Sequence, residues 1–245
     1  MTDKVALITG AAHRIGAATA RTLHAAGMRL VLHYRSSRSA AQALQDELNE
    51  TRADSVMLVQ AELTATAGLP MLVQEAVGKW QRLDVLVNNA STFFQTPVGT
   101  VSEKQWEDLL GTNLKAPFFL SQAAAPHLKK NEGCIINIVD IHADRPLKKY
   151  PVYSMAKAGL VMLTRAMACE LGPEVRVNAI APGAILWPEK EALDEVTKQR
   201  IISRTFLKRR GDPLDIARAA LFLVRDAGYM SGQVLTVDGG RSLNS

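Results

Sequence analysis

The chain has 245 residues, 47% hydrophobic and 22% charged, proportions of an ordinary globular protein long enough for one large α/β core. No stretch approaches the roughly 20 apolar residues of a membrane span, and two cysteines, Cys134 and Cys169, are too few for a disulfide framework or a zinc site; both lie in apolar contexts and read as packed thiols. The net charge of +5 is dispersed, and its longest basic cluster, Lys208-Arg209-Arg210, is followed by Asp212 and Asp215, which describes a solvated turn and not a nucleic-acid surface.

Residues 1–4 lead into an apolar run at 5–8 that is too short for the apolar region of a signal peptide. It reads as a buried strand, and the expected compartment is the cytoplasm. Further β-rich runs fall near 29–33, 55–60, 85–88, 134–139, 176–180 and 235–237, the first strand itself covering 5–9. Helical periodicity covers 14–26, 38–50, 67–80, 102–111, 113–130, 152–171 and 213–225. This alternation predicts βαβ units, a parallel sheet and a single domain over residues 1–245. Several runs are apolar at every position, as expected where helices cover both sheet faces. Gly27 sits where the first helix should end in a left-handed cap, and Ser102 with Gln105 forms a capping-box pattern. The run 184–212 breaks the alternation. It holds Pro188, many charges and room for one short helix, and reads as a lid over a substrate.

The first strand ends in Thr9-Gly10-Ala11-Ala12-His13-Arg14-Ile15-Gly16. Small residues followed by a helix N-terminus suit a pyrophosphate, although Arg14 departs from the G-x-G-x-x-G pattern. The second strand ends in His33-Tyr34-Arg35-Ser36-Ser37, with no acid between Arg29 and Gln45. An NAD enzyme places an acid here for the ribose 2′-hydroxyl. Arg35 with Ser36 or Ser37 instead offers donors to a 2′-phosphate, which points to NADPH. Arg14 and the pair Arg35 and Arg38 come from segments distant in sequence and are expected to converge on phosphate.

Tyr153-Ser154-Met155-Ala156-Lys157 opens a helix. The i,i+4 spacing puts phenol and ammonium on one face. A nearby cation favours the phenolate, so Lys157 is expected to lower the Tyr153 pKa and make it a proton donor near neutral pH.

Six segments occur in order: T-G-x-x-x-R-I-G, Asn88-Asn89-Ala90, Asn113, Tyr153-x-x-x-Lys157, Asn178-x-x-x-Pro182-Gly183 and Asp238-Gly239-Gly240. Together they resemble the short-chain dehydrogenase/reductase family over essentially the whole chain. The resemblance implies a Rossmann-like three-layer sandwich with a seven-stranded parallel sheet, a proton relay through Asn113, Lys157 and Tyr153, and a homotetramer. Within the family the chain is most similar to pteridine reductases. That similarity rests on Arg14 in place of glycine, on His33-Tyr34-Arg35-Ser36, on Asn89-Ala90-Ser91-Thr92-Phe93, and on Asp140, 13 residues before Tyr153 where most members place serine.

The resemblance implies a phosphate turn at Gly10, Arg14 and Ile15, with Asn89 and Ala90 beside it. Glu62-Leu63 would hold the adenine, and Ile138, Val139, Pro182 and Gly183 would line the nicotinamide. Ile185, Leu186, Trp187, Pro188 and Glu189 belong to the lid, Ile185 also touching cofactor. Phe93 would stack on a pterin, Ser91 would bond the pterin or a cofactor phosphate, and Arg14 would reach both pyrophosphate and pterin edge. The expected activity is NADPH-dependent reduction of a pterin or folate. Asp140 has a chemical argument of its own. An ionised carboxylate repels a developing alkoxide, whereas a carboxyl bonded to a phenol can feed a proton to a ring nitrogen. The alternatives are a carbonyl or 3-oxoacyl reductase of the same fold, which a serine at 140 would favour, and a nucleotide-binding sensor without chemistry, which loss of Tyr153 or Lys157 would signal. No metal is expected.

Overall fold

Consecutive residues of a strand face opposite sides of a sheet, and in the first strand all four are apolar and fully buried. Val5 and Leu7 pack into one core, Ala6 and Ile8 into another. A sheet with two dry faces must be covered by helices on both, and the computed structural model, which describes residues 1–185 and 194–243, shows that arrangement. The strands are β1 (Val5–Ile8), β2 (Arg29–Tyr34), β3 (Val56–Gln60), β4 (Val85–Asn88), β5 (Cys134–Ile138), β6 (Arg176–Pro182) and β7 (Val234–Val237). They form one parallel seven-stranded sheet in the order β3-β2-β1-β4-β5-β6-β7. The helices among the described residues are α1 (Arg14–Ala25), α2 (Arg38–Thr51), α3 (Leu69–Gly78), α4 (Glu103–Leu110), α5 (Ala116–Lys130), α6 (Pro151–Leu171), α7 (Glu195–Ser203) and α8 (Pro213–Arg225). α3, α5 and α6 bury their apolar stripes on one sheet face; α1, α2 and α8 cover the other. None of these helices is long and apolar enough to cross a membrane.

The order reverses between β1 and β4, and the crevice beyond their C-terminal ends is where doubly wound sheets bind ligands. The two ends are tied together. Thr9 Oγ1 accepts from Asn89 N at 2.9 Å and Ala90 N at 3.0 Å, and Asn89 Nδ2 donates to the carbonyls of Thr9 (2.9 Å) and Gly10 (3.0 Å).

Local signals hold where their chemistry is local. Gly27 takes φ +99° just past α1, and Ser102 and Gln105 cap α4 reciprocally. Differences arise where tertiary contacts intervene. The expected helix at 113–130 begins at Ala116, after a wide π turn at Gly111–Lys115. Pro117 has no N–H to give the carbonyl of Asn113, so regular i→i−4 bonding fails there. The expected helix at 67–80 splits into a 3-10 turn at Thr66–Gly68 and α3, and β6 runs two residues beyond the expected 176–180. Cys134 is buried as expected, but Cys169 is exposed, off the α6 stripe formed by Leu160, Leu163, Met167 and Leu171.

Beneath the crevice runs a buried polar chain. Asn88 Nδ2 donates to Asn137 Oδ1 at 2.8 Å, and Asn137 Nδ2 donates to Thr164 Oγ1 at 2.9 Å. It locks β4, β5 and α6 in mutual register just below the segment that carries Asp140. Asn137→Ala should remove about 2 kcal/mol of stability in urea unfolding, because the Asn88 amide keeps only its longer 3.3 Å bond to Ser121 and the Thr164 hydroxyl loses its donor; unchanged stability would contradict a structural role for this chain.

Candidate active site

Gly10 adopts φ +60°, and a Cβ there would meet the Ala90 Cα at 3.0 Å; a Cβ on Gly16 would meet Asn89 Nδ2 at 2.7 Å. Between them the backbone turns from β1 into α1, whose first N–H groups and dipole face the crevice. Side chains at Gly10 and Gly16 would close this cradle, so the observed residues fit a dinucleotide diphosphate. Arg14 opens α1 with φ +54°, a left-handed conformation that glycine adopts more easily. Its side chain is exposed, as are those of Arg35 and Ser36 at the end of β2. Ile15 is half-buried and packs on the α1 side of the core.

Four residues expected at the cofactor stand differently from a direct contact. Tyr34 and Leu63 are buried, Leu63 in the core beside α3 and α5, because alternation along their segments turns them inward. Glu62 accepts from Thr64 N (3.1 Å) and Thr64 Oγ1 (2.9 Å) and stands 3.8 Å from Arg35. His33 is 2% exposed, with Nδ1 accepting from Gly10 N at 3.2 Å and Nε2 facing the Ala61 carbonyl at 3.1 Å. It lies under the β1–α1 turn.

The reactive groups gather at the C-terminal end of β5. Tyr153 and Lys157 occupy successive turns of α6, 5% and 2% exposed. The Tyr153 hydroxyl donates to Asp140 Oδ2 at 2.8 Å, while Asp140 Oδ1 accepts from His142 N at 2.9 Å. Lys157 Nζ donates to the Ile138 carbonyl at 2.9 Å and lies 5.7 Å from the centre of the Tyr153 ring. Asn113, in the π turn, donates to the carbonyls of Leu109 (2.9 Å) and Thr92 (3.0 Å) and accepts from Ser91 Oγ at 2.5 Å. The side-chain bonds of Asn113 go to these three residues and that of Lys157 goes to Ile138, so among the described residues no bond joins Asn113 to Lys157.

The expected downward pull of Lys157 on the phenol is not what the structure gives. Burial pushes the Tyr153 pKa well above its ordinary value, Asp140 adds to the rise by charge and by hydrogen bond, and the Ser91 hydroxyl opposes it slightly. The cause is geometric: the ammonium is turned to a carbonyl and the carboxylate to the phenol. Burial brings Lys157 down to about 8, against a smaller upward pull from Asp140. Tyr153 is therefore held as a protonated donor.

Beside the phenol, Phe93 is 43% exposed, stacked on Tyr150 at 4.5 Å and edge-on to Tyr153 at 4.8 Å. Phe94, not Phe93, packs in the small core beneath. Val139 and Pro182 are buried at the ends of β5 and β6, with Gly183 beside Asp238. Ile185 is buried in the core on the α1–α8 side. Of the expected lid, α7 lies in it, whereas Leu186, Trp187, Pro188 and Glu189 are outside the described residues. One residue carried no sequence signal. Arg241, after β7, lies near enough to interact electrostatically with Arg204, Asp140 and Asp238; an isolated C-terminal arginine belongs to no motif. Asp140→Ala should bring the Tyr153 pKa down while leaving it above the ordinary phenol, because burial remains. Ultraviolet titration of the phenolate, with Tyr153→Phe as the blank, checks this, and an unchanged titration contradicts it.

A family model described as enoyl-(acyl carrier protein) reductase matches residues 10–242. The chain is 34% identical to the 3-oxoacyl-(acyl-carrier-protein) reductase FabG of Staphylococcus aureus, with 97% of each chain covered. It is 34% identical to pteridine reductase 1 of Leishmania tarentolae, with 99% and 97% covered. It is 35% identical to a putative ketoacyl reductase of granaticin polyketide synthesis from Streptomyces violaceoruber, with 98% and 96% covered. Identity does not choose between these activities. With the seven-stranded parallel sheet and the Tyr153–Lys157 pair, the matches make the chain a member of the short-chain dehydrogenase/reductase family of oxidoreductases.

Proposed function

We propose that the chain is an NADPH-dependent pteridine reductase acting on a dihydropterin, dihydrofolate or oxidised pterin. The observation that carries this reading is the 2.8 Å bond from the Tyr153 hydroxyl to Asp140. NADPH supplies a hydride to the substrate when bound. The protein must then deliver a proton to the neighbouring ring nitrogen. Tyr153 gives its phenolic proton to that nitrogen, and a solvent proton relayed through the Asp140 carboxylate, which is hydrogen-bonded to the phenol oxygen, replaces it. Phe93, half-exposed beside Tyr153, offers a ring for a flat heterocycle to stack on. Arg35 and Ser36 present exposed donors for a 2′-phosphate, and the Glu62 carboxylate, turned onto Thr64 and Arg35, moderates that charge.

The rival 3-oxoacyl reductase reading is favoured by the match to FabG. Against it stands Asp140: a carboxylate facing the reacting oxygen opposes alkoxide formation instead of donating to it. The homotetramer expected of the family has support in exposed apolar side chains on the outer helices, Trp106 on α4, Phe118 and Phe119 on α5, and Met155 and Met162 on α6.

NADPH oxidation followed by absorbance should be rapid with a dihydropterin and slow with an acetoacetyl thioester, and slower with NADH than with NADPH. Preference for the thioester would overturn the reading. Tyr153→Phe should lose roughly two to four orders of magnitude in kcat, with NADPH binding intact; parallel loss of both would contradict its role. Because the Lys157 pKa is depressed to about 8, its ammonium is present below that pH and lost above it. The value of kcat should therefore fall on the alkaline side with a midpoint near 8, and a flat profile from neutrality to well past that point would argue against a charged Lys157.

A further inference from the structure

We propose that His33 is a positioning residue for the cofactor: it holds the phosphate turn in its binding shape by accepting the Gly10 N–H on one ring nitrogen while anchoring the other to the strand behind. This rests on the reading of the β1–α1 turn as the dinucleotide cradle. The geometry is a double clamp. The backbone carbonyl of His33 accepts from Ala11 N at 3.0 Å, and its ring Nδ1 accepts from Gly10 N at 3.2 Å. On the far side Nε2 reaches the Ala61 carbonyl at 3.1 Å. A carbonyl only accepts, so Nε2 carries the proton and Nδ1 is the acceptor. Two successive amides at the head of the turn are thus bound to one residue of β2, and β2 is fixed through the same ring to the end of β3. Gly10 sits at φ +60°, a conformation that an unconstrained glycine shares with many others. The clamp selects it, and with it the aim of the N–H groups that follow.

The clamp works only with a neutral ring. Protonated Nδ1 would face the Gly10 N–H donor to donor. Burial lowers the His33 pKa below its ordinary value, offset in part by its bond to the Ala61 carbonyl and by the charge of Glu62. The charged groups around it are Glu62 after β3, Arg35 at the end of β2, which pairs with Glu62 at 3.8 Å, and His13 and Arg14 in the turn above; β1 contributes only apolar side chains. The depressed pKa means that the clamp is complete at neutral pH and is lost as pH falls through the folded value.

The test is direct NADPH titration by fluorescence, needing no substrate, on the full chain and on two variants. His33→Phe keeps a flat ring but no acceptor; His33→Asn places an amide oxygen near the position of Nδ1. His33→Phe should weaken NADPH binding about tenfold, the effect of one unsatisfied buried N–H, raising KM for NADPH more than it changes kcat, and the same lost bonds should lower the unfolding temperature by a few degrees. His33→Asn should restore most of the affinity. Acidification should weaken binding more in the unsubstituted chain than in His33→Asn, the common titration of the 2′-phosphate cancelling in the comparison. Unchanged affinity in His33→Phe, failure of His33→Asn to restore it, or identical acid profiles would overturn the clamp. No NADPH binding by the unsubstituted chain would overturn the cofactor reading itself.

Discussion

The hydrogen bond from a buried phenol to a carboxylate sets the terms for the rest of this site. In water, such a bond competes with solvent and contributes little. At Tyr153 almost no solvent reaches the ring, and the same bond governs which proton is available and where. Burial and the neighbouring negative charge both resist formation of the phenolate, so the phenol keeps its proton until an acceptor base arrives. The second carboxylate oxygen is occupied by the His142 amide, which fixes the plane of the carboxyl group. The pair is thus oriented before any ligand enters, which is the condition under which electrostatic groups contribute most to catalysis.

The surrounding fold serves that orientation. β5 carries Asp140 just beyond its end, and α6 carries Tyr153 and Lys157, so the strand–helix register decides whether phenol and carboxyl meet. The Asn88–Asn137–Thr164 chain and the Lys157 bond to Ile138 both set that register. On the opposite side the π turn at 111–115 turns the Asn113 amide toward Ser91 and Thr92, bracing the segment that carries Phe93. The cofactor cradle is assembled the same way: Thr9 and Asn89 close the crevice, and His33 supports its rim.

Much of this was legible in the residues. Alternating periodicities gave the sheet and its covering helices because strand and helix periods are local properties of backbone geometry. The i,i+4 spacing of Tyr153 and Lys157 pointed to one helix face, and Asp140 was drawn into the site by the family resemblance, in which a residue 13 positions before the tyrosine faces it. What the sequence could not convey was orientation. Whether Lys157 turns to the phenol or to a carbonyl depends on β5, and the direction of the Tyr153 pKa follows from that choice. His33 and Tyr34 read as ligands because they stand at a ligand-binding strand end, yet both point inward. Leu63 and Ile185 were likewise drawn into packing by apolar character that motif matching ignores. Arg241 joins the charges near Asp140 only through the return of the chain after β7.

The substrate assignment turns on residue 140. The same fold and the same tyrosine suit carbonyl reduction when the neighbouring group donates to an oxygen, and suit reduction of a ring C=N bond when it supplies a proton through the phenol. The decisive measurement is the ratio of kcat/KM for a dihydropterin to that for an acetoacetyl thioester, in the unsubstituted chain and in Asp140→Ser. The account predicts a ratio that falls by at least about tenfold on substitution, since a lost proton relay costs about that factor or more. A ratio unchanged or raised by the serine would show that the carboxyl group does not select the substrate.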